Sequence, residues 1–324
     1  MCLNLGGDWI NAGGGTGGMI NPLEIRPVPK DEHDEENPLY IDEGNGMNDL
    51  ALHMKTLEIF FDLYLPSLSD MQKALLKQTL EELYARFGIH WDTDIRQLSS
   101  SDYPIFRHLY DLVEEKYDVS GKEDFQVLAS LLRDIAIGAD QFLWNGQTTL
   151  NAQSRFICLD TLDLQNMGEK IKKTQYFNIL TWSWEQMSRN RKERVLQFCD
   201  EAYTMIDPQV PQSLQFLRNA AKRVRKYEAA IGIISHSVVD FLDPSIKMYG
   251  QALLDTPCYK IIMGCDGKNL QETKDLYSLT EAEQELLLSK RRGEGLFMIG
   301  SKRLRINFDI PEYRFKYMGN AGGR

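Results

Sequence analysis

Beyond Asn151 the chain alternates short apolar runs with stretches that read as helices, and this alternation limits the fold more than any other feature. Residues 155–159, 195–199, 230–234 and 259–263 each have strand length, and helices of about 15 to 25 residues are expected between the first three. Strand, crossover and strand in this order predict a parallel sheet with right-handed connections, hence an α/β fold. Residues 295–300 and 304–310 read as a closing hairpin, after a helix opened by the capping box Thr280-x-x-Glu283.

The first half reads differently. Its opening is rich in glycine, with Gly6-Gly7, Gly13-Gly14-Gly15 and Gly17-Gly18 around Trp9 and Ile10, followed by Asn21-Pro22-Leu23. That composition predicts strand and loop, and Asp31 to Glu36 form an acidic connector. From about Asn48 to Asp140 apolar residues recur at helical spacing: Leu50, Met54, Leu57, Phe61 and Tyr64, then Leu75, Leu76, Leu80, Leu83 and Phe87. Ser69 with Gln72 fits a capping box, Gly88 a helix end, and Ser101-Asp102 the start of a helix running to about Tyr117. The region is expected to be an all-α subdomain of about four helices.

Charge and cysteine usage exclude some functions. Against 37 basic residues stand 47 acidic ones, a net charge of −10, which argues against a protein that coats nucleic acid, though a local basic groove remains open. The five cysteines (Cys2, Cys158, Cys199, Cys258, Cys265) form no C-x-x-C pair and are expected to be buried thiols in a reducing compartment. No stretch approaches the roughly 18 to 20 apolar residues of a membrane span, and the start lacks a signal-peptide pattern. A cytoplasmic chain, able to sit against a membrane through a partner, is the expectation.

Chemistry concentrates after residue 194. Val195-Leu196-Gln197-Phe198-Cys199 is an apolar strand ending in Asp200-Glu201. In a parallel sheet the carboxyl ends of the strands face the ligand crevice. Asp200 there suits a magnesium shell, and Glu201 suits activation of the water that attacks a terminal phosphate. The alternative is a plain helix start, where carboxylates favour the amino end. The next strand ends at Ser235-His236, where a polar residue can sense a γ-phosphate; the alternative is a hydrogen-bonded histidine at a strand terminus.

Between these strands Lys222-Arg223-x-Arg225-Lys226 closes a helix. Its cations complement the helix dipole, or supply an arginine finger to a neighbouring subunit's nucleotide, or contact DNA phosphates. The glycine run at 13–18 is no phosphate cradle, because G-x-x-x-x-G-K-[ST] needs a lysine and a hydroxyl, and no Gly-Lys-Ser or Gly-Lys-Thr occurs. Neither H-E-x-x-H nor G-x-S-x-G is present, and the five histidines are scattered, so a zinc site is not expected. Trp144, Trp182 and Trp184 read as core residues rather than a base-stacking platform.

The order Gly6-Gly7, Asn21-Pro22-Leu23, helical insertion, Asn145-Gly146-Gln147-Thr148-Thr149, Phe156 to Asp160, Asp200-Glu201 and Ser235-His236-Ser237-Val238-Val239-Asp240-Phe241 resembles the motor-domain ATPases of conjugation and type IV secretion over nearly the whole chain. The resemblance implies a RecA-like P-loop NTPase core of the FtsK and HerA superfamily: residues 1–46 as its amino-terminal part, 47–146 as an inserted all-α subdomain, and 147–324 as the core with Walker B. It implies ATP and Mg2+ as ligands, a hexamer at the inner face of the membrane, and other secretion-channel subunits as partners. Asp200 and Glu201 match the Walker B pair, with Asp200 at the metal. Arg225 and Lys226 match the basic segment after the Walker B helix, and His236 stands where the family often has glutamine. Family members carry a Walker A strand, loop and helix ahead of the segment that begins here at Leu3, so the expectation is a chain truncated before its P-loop, with weak or absent nucleotide binding. Two alternatives stay open: a non-catalytic interaction module of the same machinery, and a DNA-translocating coupling protein.

Overall fold

The computed structural model describes residues 2–15, 17–27, 48–150, 154–188, 193–206 and 210–318, so the acidic connector at 31–36 lies outside the described residues. The chain forms two compact parts, Gly6–Arg194 with Cys2, and Val195–Arg324 with Leu3–Leu5.

In the first part, strand β1 (Asp8–Asn11) is followed by helices α1 (Asp49–Tyr64), α2 (Asp70–Arg86), α3 (Phe106–Ser120), α4 (Glu123–Ala136) and α5 (Gln141–Trp144), then β2 (Ile157–Asp160) and α6 (Glu169–Ser188). Strands β1 and β2 pair in parallel, Asp8 opposite Ile157 and Asn11 opposite Asp160. The Ser69–Gln72 capping box opens α2 as expected, and Gly88, at φ +75°, follows its end. The third helix starts later than the sequence suggests. Ser100–Asp102 is a separate 3-10 turn, and Tyr103 before Pro104 is extended, because a proline pushes its predecessor out of the helical region.

The core of this part is aromatic. Phe60 stacks on Phe106 at 5.8 Å, while Trp144 meets Phe60 at 5.5 Å and Tyr64 at 5.3 Å, both edge-on. Trp144 and Trp182 are buried, as expected, and Trp184 is half-buried. Helix α6 runs through this core with a polar stripe. Gln175, Asn178, Thr181 and Glu185, three and four residues apart, share one face. Gln175 Oε1 accepts from Trp144 Nε1 at 2.6 Å, and Gln175 Nε2 donates to the Ala12 carbonyl at 2.7 Å. Asn178 donates to the Ile20 carbonyl at 2.9 Å and accepts from Arg26 Nη2 at 3.2 Å. Arg26 also bonds Thr181 and lies 3.7 Å from Glu185; burial lowers its pKa, and Glu185 and Glu24 oppose that.

The second part holds β3 (Val195–Cys199), α7 (Pro211–Arg223), β4 (Ala229–Ile233), α8 (Lys247–Asp255), β5 (Tyr259–Met263), α9 (Gly267–Tyr277), α10 (Glu281–Leu288), β6 (Glu294–Ile299), β7 (Lys302–Asn307) and α11 (Phe315–Met318). Pro211 sits in the first turn of α7, where its missing N–H costs nothing. Strands β3 and β4 pair in parallel as predicted, Val195 opposite Ala229 and Cys199 opposite Ile233. The expectation for residues 259–263 is corrected: β5 pairs antiparallel with β6, itself antiparallel to β7, in a separate sheet. One face of that sheet buries Leu296 and Met298 against Leu279 and Leu287; alternation alone could not distinguish this pairing from a parallel one.

Two predictions follow from the packing of the first part. Trp144→Phe keeps most of the apolar volume but leaves buried Gln175 Oε1 with only the long 3.4 Å bond from Asn178 Nδ2, and should lower the stability by about 1 to 2 kcal/mol in urea unfolding. His53 is buried with Nε2 lacking a hydrogen-bond partner among the described residues. Its pKa is pushed down to about 3, first by desolvation and then by Arg26. The unfolded chain therefore takes up this proton at about pH 6.5 and the folded chain does not, so stability is full above that pH and declines as the pH falls toward 3. His53→Leu should flatten this part of the stability profile, read as urea midpoints across pH, by a few kcal/mol in order of magnitude.

Candidate functional site

The parallel register of β3 and β4 brings the ends of both strands together. Past Cys199 the backbone stays tied to the neighbouring strand: Ile234 N–H donates to the Cys199 carbonyl at 2.9 Å, and Ala202 N–H to the Ile234 carbonyl at 3.0 Å. Between these bonds Glu201 turns through φ +54°, a left-handed conformation costly for a side-chain-bearing residue. Asp200 Oδ1 accepts the Glu201 N–H at 3.0 Å. The turn aims the Glu201 carboxylate at the loop after β4, where Glu201 Oε1 lies 2.9 Å from His236 Nε2.

The two sequence-nominated residues Glu201 and His236 thus meet directly. The Glu201 side chain is largely buried and that of His236 is 76% exposed, so the pair opens on solvent from the histidine side. Asp200 is exposed, and its second oxygen makes no hydrogen bond among the described residues. Arg225 and Lys226 fall elsewhere. They lie exposed in the 3-10 turn Val224–Tyr227, ahead of the first residue of β4. Five residues of strand at about 3.3 Å each separate that end from the Glu201–His236 end.

Tyr203 and the Ser237–Asn269 pair were missed by sequence reasoning. The Tyr203 ring lies 6.4 Å from that of His236. Ser237 Oγ donates to Asn269 Oδ1 on α9 at 2.6 Å. No signal in the sequence pairs Ser237 with a residue 32 positions on. At Gly18, the end of the glycine run, close packing is the requirement: a Cβ there would lie 1.7 Å from the Asn11 carbonyl oxygen.

Among the described residues no group of three His, Cys, Asp or Glu side chains stands together as a metal cage. Magnesium does not need one, since it keeps several waters and takes one or two carboxylates along with substrate phosphates. The free Asp200 oxygen fits that demand. No described helix is long and apolar enough to cross a membrane.

Comparison with solved structures decides the family. The structure of VirB4 of Thermoanaerobacter pseudethanolicus superposes with a TM-score of 0.89 at 42% sequence identity, covering 97% of this chain and 80% of that one. The chain belongs to the VirB4 family of type IV secretion ATPases. Its α/β architecture is therefore that of the family's P-loop ATPase fold, within the FtsK/HerA-like motors. Two structures of the conjugative coupling protein TrwB share the fold at 12% identity. An unbound form has a TM-score of 0.50, and a complex with ADP and Mg2+ has 0.51, each covering 80% of this chain and 68% of TrwB. No protein-family model matches the chain, and a search of curated proteins gives no match.

The thiols divide by environment, correcting the expectation that all are buried. Cys2 and Cys199 are buried, Cys158 and Cys265 are half-buried, and Cys258 is exposed. Desolvation pushes the Cys199 thiol up to about 11. Under limiting iodoacetamide at pH 8, Cys258 should alkylate first and Cys199 last, as read by peptide mass spectrometry.

Proposed function

We propose that this VirB4-family chain is the ATPase motor subunit of a type IV secretion or conjugative transfer system, and that ATP hydrolysis drives pilus assembly or substrate transport. The observation carrying this reading is the 2.9 Å Glu201–His236 contact at the carboxyl ends of two paired parallel strands, with Asp200 beside it. Asp200 would hold Mg2+, which supplies charge neutralisation for the transferred phosphoryl group. Glu201 orients and deprotonates the attacking water. His236 links the strand-end loop to that carboxylate and stands where a γ-phosphate oxygen can be sensed. Arg225 and Lys226, at the other end of β4, suit contact with the nucleotide of a neighbouring subunit in a hexamer better than with their own. Residues 47–146 are the inserted all-α subdomain, and 1–46 and 147–324 form the ATPase core, held at the inner face of the membrane by other channel subunits.

Hydrolysis also needs a phosphate-binding loop, and these 324 residues contain no G-x-x-x-x-G-K-[ST]. Magnesium-ATP titrated calorimetrically into this chain should therefore bind more weakly than micromolar. Tight binding would mean that the phosphate cradle lies within these residues. When these residues are joined to a phosphate-binding loop, Glu201→Gln should cut turnover by about 10²- to 10⁴-fold with nucleotide affinity retained. Unchanged turnover would remove Glu201 from the reaction.

Exposed apolar side chains support a second reading, a non-catalytic interaction module of the same machinery. Leu196 and Phe198 on β3, and Tyr259 and Ile261 on β5, are each more than half exposed. Co-purification with a complete homologue, without effect on its turnover, would favour that module. A DNA-translocating coupling role is disfavoured by the net charge of −10.

A further inference from the structure

The strand-end histidine stands on a loop with little packing of its own. Ile234 and His236 are exposed, and the loop is shaped by serine hydroxyls. Ser235 Oγ accepts from the Ser237 N–H at 3.4 Å and donates to the Ser237 carbonyl at 3.3 Å. Ser237 Oγ accepts from the Val239 N–H at 3.1 Å. With that lone pair engaged, the hydroxyl proton points away from the loop and goes to Asn269 Oδ1 at 2.6 Å. Apart from Glu201, Asn269 is the single side chain outside residues 235–239 that hydrogen-bonds them among the described residues.

Asn269 is itself firmly held. It lies in the first turn of α9, and its carbonyl accepts from the buried Thr273 hydroxyl at 2.6 Å. The adjacent Leu270 packs against the core of Leu279, Leu287, Leu296 and Met298 beneath the antiparallel sheet. A continuous path thus runs from that core through Asn269 and Ser237 to His236 and Glu201.

We propose that Asn269 is a positioning residue, which through Ser237 clamps the loop after β4 so that His236 stays on the Glu201 carboxylate. The functional importance of the clamp rests on the proposed role of Glu201 and His236, while the clamp itself needs no nucleotide to be observed.

The test uses the full chain without nucleotide, with labelled histidine for ring 15N spectra and deuterium exchange across residues 234–239. Asn269→Ala should speed exchange of that segment about fivefold, the loss of one net hydrogen bond, and shift the His236 ring signals. Asn269→Asp, which keeps the acceptor, should restore both. Ser237→Ala removes the other partner, and with it the acceptor of the Val239 N–H, and guards against a misfolded Asn269 variant; the double variant should add nothing to Ser237→Ala alone. Unmoved His236 signals and unchanged local exchange in a folded Asn269→Ala protein would overturn the clamp, as would His236 signals unmoved in Ser237→Ala or an Asp variant no better than Ala. Should the clamp be observed while Glu201→Gln leaves the turnover of a loop-bearing protein intact, the catalytic reading fails and the positioning claim survives.

Discussion

A buried helix that carries polar side chains must find partners for all of them, and this requirement organises the first part of the molecule. Helix α6 presents Gln175, Asn178 and Thr181 inward, where an unpaired amide costs about 1 to 3 kcal/mol. The partners come from distant segments: the Ala12 and Ile20 carbonyls after β1, the Trp144 indole at the end of the helical region, and the Arg26 guanidinium. Satisfying one helix face thus fixes how the glycine-rich opening, the aromatic core and α6 assemble. The Asn21-Pro22-Leu23 segment extends the arrangement, since Asn21 donates to the Pro104 carbonyl and Tyr84 to the Leu23 carbonyl.

In the second part the governing constraint is register. Glu201 and His236 are 35 residues apart, and a one-step slip of β4 against β3 would turn the following loop to the opposite face. Cys199 and Tyr227, both buried, leave little freedom for such a slip. The site therefore inherits its geometry from backbone pairing, with side-chain bonds making the final adjustment.

Those parts of the fold with strong local signals could be read from residues alone. Strands β3 and β5 match the apolar runs residue for residue, and the boxes at Ser69 and Thr280 open the helices they announce. The choice of strand partner was less legible, because residues 259–263 look the same whether paired parallel or antiparallel. Pro104 overrode the start suggested by Ser101-Asp102. At the site, the Asp200-Glu201 and His236 positions were legible from strand ends. The left-handed turn at Glu201 and the Asn269 contact were not, since the first breaks local preference and the second joins distant segments.

The conformation of Glu201 has a genetic consequence. Backbone energetics alone would favour glycine there, and one base substitution converts a glutamate codon into a glycine codon. A population selected only for heat tolerance thus has a short mutational route to a sturdier but carboxylate-free turn. Under the role proposed for Glu201, stability and chemistry pull in opposite directions at a single codon.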